Sequence, residues 1–380
     1  MLYNCDFPQL KNLHIAFKED PKDRLHEPAS ECMLRGITAP NLKRFIFSSI
    51  DTDLVMTSID APSLQYFQVL ANSLLIRDFF YIPVLEEFDF DIQEYFYYEI
   101  IDDVYDDGSP VLHFLQNTKV GTIKSPNFNI LDGLTEMGNL EKLTLVHFPG
   151  GDAFKDIKFP NLKTLELQLS LKVSKDLPSF DAPLLESMEL LLPVNTPKNI
   201  DQVVNKFHPK LRKLKLDYSR CDKDPVILNN LQLPNLIELE INGVNNTIQL
   251  KRCEFQSLKK LLINRITALG YIPKIRNTIS SHFSSIERVH FGRVSRIEFK
   301  KCKFPNLEAL TITNFDIIST PLTKELFPSL KEILILDGVN QTDLDFCEEF
   351  YGIIKDETYD TRKDRFEILK LSDPYLTKFA

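Results

Sequence analysis

The sequence predicts an α/β solenoid, in which short repeats stack along one axis and share a curved parallel β-sheet with few short helices. Three observations predict this fold. The pattern L-x-x-L-x-L, with other apolar residues allowed at the Leu positions, occurs thirteen times in 380 residues. Ten of the twelve steps between copies measure 21 to 28 residues, and ten of the thirteen copies have Pro two residues before the first Leu. A period of this length is typical of units that stack into a solenoid.

The copies align on their Leu positions. They are FPQLKNLHI from Phe7, APNLKRFIF from Ala39, APSLQYFQV from Ala61, IPVLEEFDF from Ile82, MGNLEKLTL from Met137, FPNLKTLEL from Phe159, APLLESMEL from Ala182, HPKLRKLKL from His208, LPNLIELEI from Leu233, FQSLKKLLI from Phe255, FSSIERVHF from Phe283, FPNLEALTI from Phe304 and FPSLKEILI from Phe327. All thirty-nine Leu positions hold apolar residues, although the chain is only 43% apolar overall. Composition alone does not produce this pattern.

The spacing within a copy predicts which side chains face the core. In L-x-L the two apolar side chains of a strand point to one face and the middle residue points to the other. We therefore expect the middle residues to line the concave surface. The first Leu lies at the corner before the strand, where Pro suits a turn. A second alternation just upstream, for example Ile37-x-Ala39, predicts an extended segment on the convex side.

The chain is predicted to form one solenoid over residues 1–380. A step of 55 residues between the fourth and fifth copies predicts one degenerate repeat near 111–123, whose register the sequence leaves open. Residues 341–380 are expected to form a C-terminal cap. Three segments have a helical pattern of apolar residues: Asp201–Phe207, Pro273–His282 and Asp343–Ile354.

Composition and charge limit the classes of function that we expect for this chain. The net charge is −9, with 54 Asp and Glu against 45 Lys and Arg, which disfavours a nucleic-acid binder because phosphate binding needs clustered basic residues. No signal peptide and no membrane-spanning apolar run are found. The six Cys residues have no close spacing. We expect a cytoplasmic or nuclear protein that binds neither nucleic acid nor membranes.

No motif for catalysis, a cofactor or a metal is found. Cys5, Cys253 and Cys302 share one repeat position that is otherwise apolar, and are expected to be core residues. His14 and His290 both fall on the concave side, but ten clear units apart. We therefore predict a protein that is not an enzyme and that needs no cofactor.

The acidic and aromatic stretch from Glu86 to Asp107 is the strongest candidate site. It contains ten acids and no Lys or Arg. Two readings remain open, a solvated loop and a patch for a partner protein with a basic surface. The predicted partner-binding residues are Glu87, Asp89 and Asp91 on the concave side, with Tyr95, Tyr97, Tyr98 and Tyr105 as aromatic anchors. The insertions at 17–36 and 92–118 are expected to add contacts.

A second group of charges falls on two adjacent copies. Lys213 and Lys215 are expected to lie beside Glu238 and Glu240 of the next strand. Opposite charges on neighbouring strands mainly stabilise strand pairing, by about 0.2–1 kcal/mol each. Binding is the lesser interpretation here.

The chain resembles irregular leucine-rich-repeat proteins, and in particular the repeat region of fungal F-box proteins. The segments FPNLKTLEL and FPNLEALTI carry the resemblance most strongly. The resemblance implies a substrate-recruiting subunit of a ubiquitin ligase, which would also bind a ligase adaptor if an F-box lies upstream. A free-standing scaffold or adaptor is the alternative, and a regulator of a small GTPase is less favoured. The Asn that usually follows the strand in such repeats is missing, since residues such as Phe148 and Val244 occupy its position.

Overall fold

A computed structural model describes much of the chain. The described residues are 1–17, 30–99, 115, 117–124, 135–148, 157–169, 181–192, 204, 210–218, 226–243, 248–264, 277–282, 285–292, 296–299, 304–313, 317–318, 324–336 and 354–357. They form a parallel β-solenoid.

Every bounded element of these residues is a strand. In chain order they are β1 (Leu2–Asp6), β2 (Asn12–Ala16), β3 (Ser30–Thr38), β4 (Arg44–Asp60), β5 (Tyr66–Tyr81), β6 (Glu87–Glu99), β7 (Val120–Lys124), β8 (Lys142–Phe148), β9 (Thr164–Leu169), β10 (Ser187–Leu191), β11 (Lys213–Asp217), β12 (Val226–Asn229), β13 (Glu238–Asn242), β14 (Ile248–Glu254), β15 (Lys260–Asn264), β16 (Asn277–His282), β17 (Arg288–Gly292), β18 (Arg296–Phe299), β19 (Ala309–Thr313), β20 (Ile317–Ile318), β21 (Glu332–Leu336) and β22 (Ile354–Glu357).

The strands pair in two parallel sheets. The larger sheet has 17 strands, and all of them except β1 and β3 lie in one continuous series from β2 to β22, which we call the long sheet. The first halves of β4 and β5 belong to this series. Their second halves continue the series β1–β3 on another face of the solenoid. A separate sheet of 5 strands, β12, β14, β16, β18 and β20, lies further along the chain.

The register of the long sheet confirms the predicted orientation of L-x-L. Ser187–Leu190 pairs residue by residue with Thr164–Leu167. Leu239 and Ile241 are 0% exposed, whereas Glu240 between them is partly exposed. Stacking brings the described side chains at the Leu positions into one apolar core, because a single unit could not bury them alone.

The turns before the strands explain the Pro positions. In these turns a backbone N–H donates to the carbonyl three residues earlier, for example Leu42 to Ala39 at 3.1 Å and Leu162 to Phe159 at 3.3 Å. Pro occupies the second turn position, where its fixed φ is favourable.

The third turn position carries a ladder of side-chain hydrogen bonds to the preceding unit. Asn41 donates through Nδ2 to the carbonyl of Pro8 at 2.7 Å, and Asn117 donates to that of Pro83 at 3.1 Å. Further members are Asn161 to Gly138 at 2.5 Å, Ser329 to Pro305 at 2.5 Å, and Ser285 to Gln256. This ladder replaces the Asn ladder that the sequence lacks after the strand.

The predicted segments upstream of the turns are extended where β1, β3 and β4 contain them. Cys5 pairs with Ile37, and Ile37 pairs with Ile59. One residue before each of these, Asn4, Gly36 and Ser58 have φ values of 49°, 63° and 53°. The three successive coils therefore bend at the same place.

Two helical predictions meet described residues and are wrong there. Asn277–His282, part of the candidate Pro273–His282, forms β16 because its backbone pairs with β14 and β18. Ile354 begins β22, which pairs with β21. Of Asp201–Phe207 only Val204 is described, and it is helical, as predicted, and buried. Most of the predicted C-terminal cap at 341–380 lies outside the described residues.

No helix among the residues that the structure describes is long and apolar enough to cross a membrane.

Candidate functional site

The outward side of the long sheet contains the predicted acidic residues. On β4 to β7 it presents three rows of four neighbouring side chains, which we call the outward grid. The rows are Arg44, Tyr66, Glu87 and Val120; Ile46, Gln68, Asp89 and Thr122; and Ser48, Leu70, Asp91 and Lys124. All twelve side chains are exposed or partly exposed.

Aromatic packing beneath the grid points the acids outward. Phe88 and Phe90, which alternate with the acids on β6, are both 0% exposed. The ring of Phe90 lies edge-on to that of Phe67 on the neighbouring strand, with 5.2 Å between centroids. If β6 instead turned its other face to the core, two aromatic rings would be exposed and three carboxylates would be buried, which is strongly unfavourable.

Asp91 is neutralised within the chain. Lys124 Nζ lies 2.6 Å from its Oδ2, and Gln93 Nε2 donates to Oδ1 at 2.7 Å. The side chain of Asp91 is only 23% exposed. Asp91 is therefore less available to a partner than the exposed Glu87.

Asp89 is held by a short relay of side chains. Tyr66 donates through its hydroxyl to Gln68 Oε1 at 3.2 Å, and Gln68 Nε2 donates to Asp89 Oδ2 at 3.0 Å. Desolvation raises the pKa of Asp89, and the nearby charges of Asp91 and Glu87 raise it further. The relay fixes the orientation of a partly buried carboxylate.

Glu87 and Arg44 carry unmatched charges. Glu87 is exposed, and its side chain makes no hydrogen bond or ion pair within the described part of the chain. Arg44 lies over the ring of Tyr66, with 4.2 Å from Cζ to the centroid. Desolvation raises the pKa of Tyr66, as do Asp89 and Glu87, while the charge of Arg44 opposes this. Arg44 and Glu87 thus lie on opposite sides of one tyrosine.

The tyrosine anchors are only partly placed. The backbones of Tyr95, Tyr97 and Tyr98 pair with Ser73, Leu75 and Ile76 on the second half of β5, outside the grid. Their side chains, and Tyr105 entirely, lie outside what the structure describes. The same holds for most of the insertions 17–36 and 92–118.

The lysines of the second charged group, Lys213 and Lys215, form ion pairs with glutamates on neighbouring strands. Lys213 lies 4.0 Å from Glu238, but Lys215 pairs at 2.8 Å with Glu189 on the preceding strand rather than with its neighbour Glu240. Asn242 donates to Glu240 at 2.5 Å. Desolvation raises the pKa of Glu240, partly offset by Asn242 and Lys215. These cross-strand pairs favour the structural interpretation of this group.

The described cysteines and histidines form no common site. Cys5 is partly buried, and Cys253 is buried with its thiol donating to the Leu228 carbonyl at 3.6 Å, while Cys302 lies outside the described residues. His14 and His290 point outward on β2 and β17, and among the described residues no three Cys, His, Asp or Glu side chains converge as metal ligands.

Comparisons with protein-family models, curated proteins and solved structures found no match for this chain.

Proposed function

We propose that this chain is a non-enzymatic protein-recognition solenoid that binds a partner protein with the outward side of its long sheet. One observation carries the proposal: the outward grid combines an exposed Arg, a Tyr and an unpaired Glu on a rigid sheet. Tyr and Arg are enriched where proteins bind each other most strongly. Side chains already held in rows lose little conformational entropy on binding, so more of the contact energy becomes affinity.

The finer proposal is a leucine-rich-repeat subunit that recruits a substrate to a ubiquitin ligase. The L-x-x-L-x-L register and its Pro turns support the repeat type, and the resemblance to fungal F-box repeat regions supports the role. A free-standing scaffold or adaptor would use the same surface without a ligase adaptor. Either role is compatible with a cytoplasmic or nuclear location.

The proposal is tested by quantitative affinity purification from cells that express the tagged full chain. The test variant is Glu87→Lys/Asp89→Lys, which leaves the Asp91–Lys124 pair intact. The control is Glu31→Lys/Glu136→Lys, which changes the net charge equally at exposed positions away from the long sheet's outward side. We expect the test variant to lose partners that the control retains. If the unmodified chain, the test variant and the control recover the same partners equally well, the proposed surface is contradicted.

Co-purification of a cullin-type ligase adaptor with those partners would distinguish the two roles. If the partners are retained but no ligase component is recovered, the scaffold is the correct alternative.

A further inference from the structure

The row that contains Tyr66 has an unusual charge arrangement. Arg44 pairs in register with Tyr66, and Tyr66 pairs with Glu87. Neighbouring strands lie about 4.8 Å apart, so the backbones of Arg44 and Glu87 are separated by about 10 Å. Two opposite charges therefore lie on either side of one aromatic ring.

At other places on the long sheet, opposite charges on adjacent strands do form ion pairs. Lys142 lies 2.8 Å from Glu166, and Lys215 lies 2.8 Å from Glu189. Tyr66 occupies the strand between Arg44 and Glu87, and these two described residues form no ion pair. Within the described residues, Arg44 has no acidic partner and Glu87 has no basic one.

The negative charge of the outward grid that is not neutralised by Lys124 lies at the beginning of β6, next to Tyr66. Lys124 neutralises Asp91, and Thr122 and Val120 separate Lys124 from Glu87. The grid consequently has a polarity, positive on β4 and negative on the first residues of β6. A purely basic partner surface would meet Glu87 favourably but would be repelled by Arg44.

Resting on the proposed function, we propose that the docked partner is a protein segment with an acidic and a basic side chain about 10 Å apart, which straddles Tyr66. The acidic side chain pairs with Arg44 and the basic one pairs with Glu87 and Asp89. The segment's intervening residues pack on Tyr66, with Ile46 on the adjacent strand as an apolar neighbour. Charge complementarity then fixes the direction in which the segment lies.

The site is already organised for this contact. Arg44 is stacked on the Tyr66 ring, and the Tyr66 hydroxyl is bonded to Gln68, which also holds Asp89. Few rotamers have to be fixed when a partner binds, which reduces the entropic cost.

The test uses a phage-displayed random peptide library selected on the full chain, followed by titration of synthetic peptides from enriched clones. The variants are Arg44→Glu, Glu87→Arg, Tyr66→Ala and the double variant Arg44→Glu/Glu87→Arg. The matched control is Arg288→Glu/Glu332→Arg, because Arg288, Ala309 and Glu332 occupy one row with the same spacing but without the tyrosine. Circular dichroism and thermal melting verify that each variant folds.

We expect enriched peptides to contain an acidic and a basic residue in one preferred order. Each single variant should weaken their binding by about tenfold or more, equivalent to about 1.4 kcal/mol, and the control should bind as the unmodified chain does. Selection on the double variant should return peptides with the reverse order of charges.

Two results would overturn this inference. If enriched peptides bind the chain equally well after Arg44→Glu and Glu87→Arg but are lost with other outward substitutions, the recognition surface stands and this docking mode fails. If no enriched peptide depends on any outward residue of the long sheet, both the docking mode and the proposed function fail.

Discussion

The ring of Phe88 occupies the space that a side chain at Gly121 would fill. A Cβ at Gly121 would overlap with Cζ of that ring. The two residues are direct neighbours in the long sheet, and Gly121 stands where the other units have a larger apolar residue. The large aromatic side chain of one unit thus compensates for the missing side chain of the next.

Enlarging Gly121 should therefore destabilise the protein unless Phe88 is reduced. We expect Gly121→Ala to lower the free energy of unfolding by about 1–3 kcal/mol through overpacking. Phe88→Leu/Gly121→Ala should be more stable than the sum of the two single changes predicts. Chemical denaturation of the four proteins measures this coupling, and strictly additive effects would contradict the contact.

This pair also explains why the register of the 55-residue step could not be read from the sequence. The corner and first strand positions hold Thr118 and Gly121, and only Ile123 is large and apolar. The Thr118 hydroxyl donates to the carbonyl of Leu115 at 2.7 Å, which allows a polar residue at a buried corner. The one signal available was Asn117, whose place in the turn ladder matches Asn41.

The inward Leu positions, by contrast, were predictable because the period of two in a strand permits only one buried set. Leu239 tests that register directly. Leu239→Ala should cost about 2–5 kcal/mol, since this side chain is 0% exposed. Glu240→Gln, one residue further, should change stability much less. Equal losses in urea denaturation would show that the register is misassigned.

The turn ladder should contribute measurably to stacking. Asn41→Ala removes the donor to the Pro8 carbonyl and should cost about 0.5–1.5 kcal/mol, the usual net value of one hydrogen bond. Asn41→Ser should recover part of this loss, because Ser329 makes the equivalent bond elsewhere. Thermal unfolding of the three proteins is the measurement. A Ser variant no better than Ala would argue against a bonding role.

The candidate site was only partly accessible to sequence reasoning. Alternation with Phe88 and Phe90 placed Glu87, Asp89 and Asp91 outward. Arg44 and Tyr66 were missed because they belong to other repeats, where a single Arg and Tyr carry no local signal. The pairing of Asp91 with Lys124 could not be predicted, because it depends on the register of β7, which the sequence leaves open.

Asp89 should make stability depend on pH in a defined direction. Desolvation and neighbouring acids raise its pKa in the folded protein, so folding favours the protonated form. The ionised carboxylate therefore lowers stability at neutral pH, and this penalty is relieved as the pH falls through the raised pKa towards the ordinary value of about 3.9. Asp89→Asn, which keeps an oxygen acceptor for Gln68, should be more stable than the unmodified chain at pH 7. The difference should shrink on acidification, as measured by urea denaturation across that range. A difference that grows with falling pH would mean that Asp89 is stabilised in its charged form.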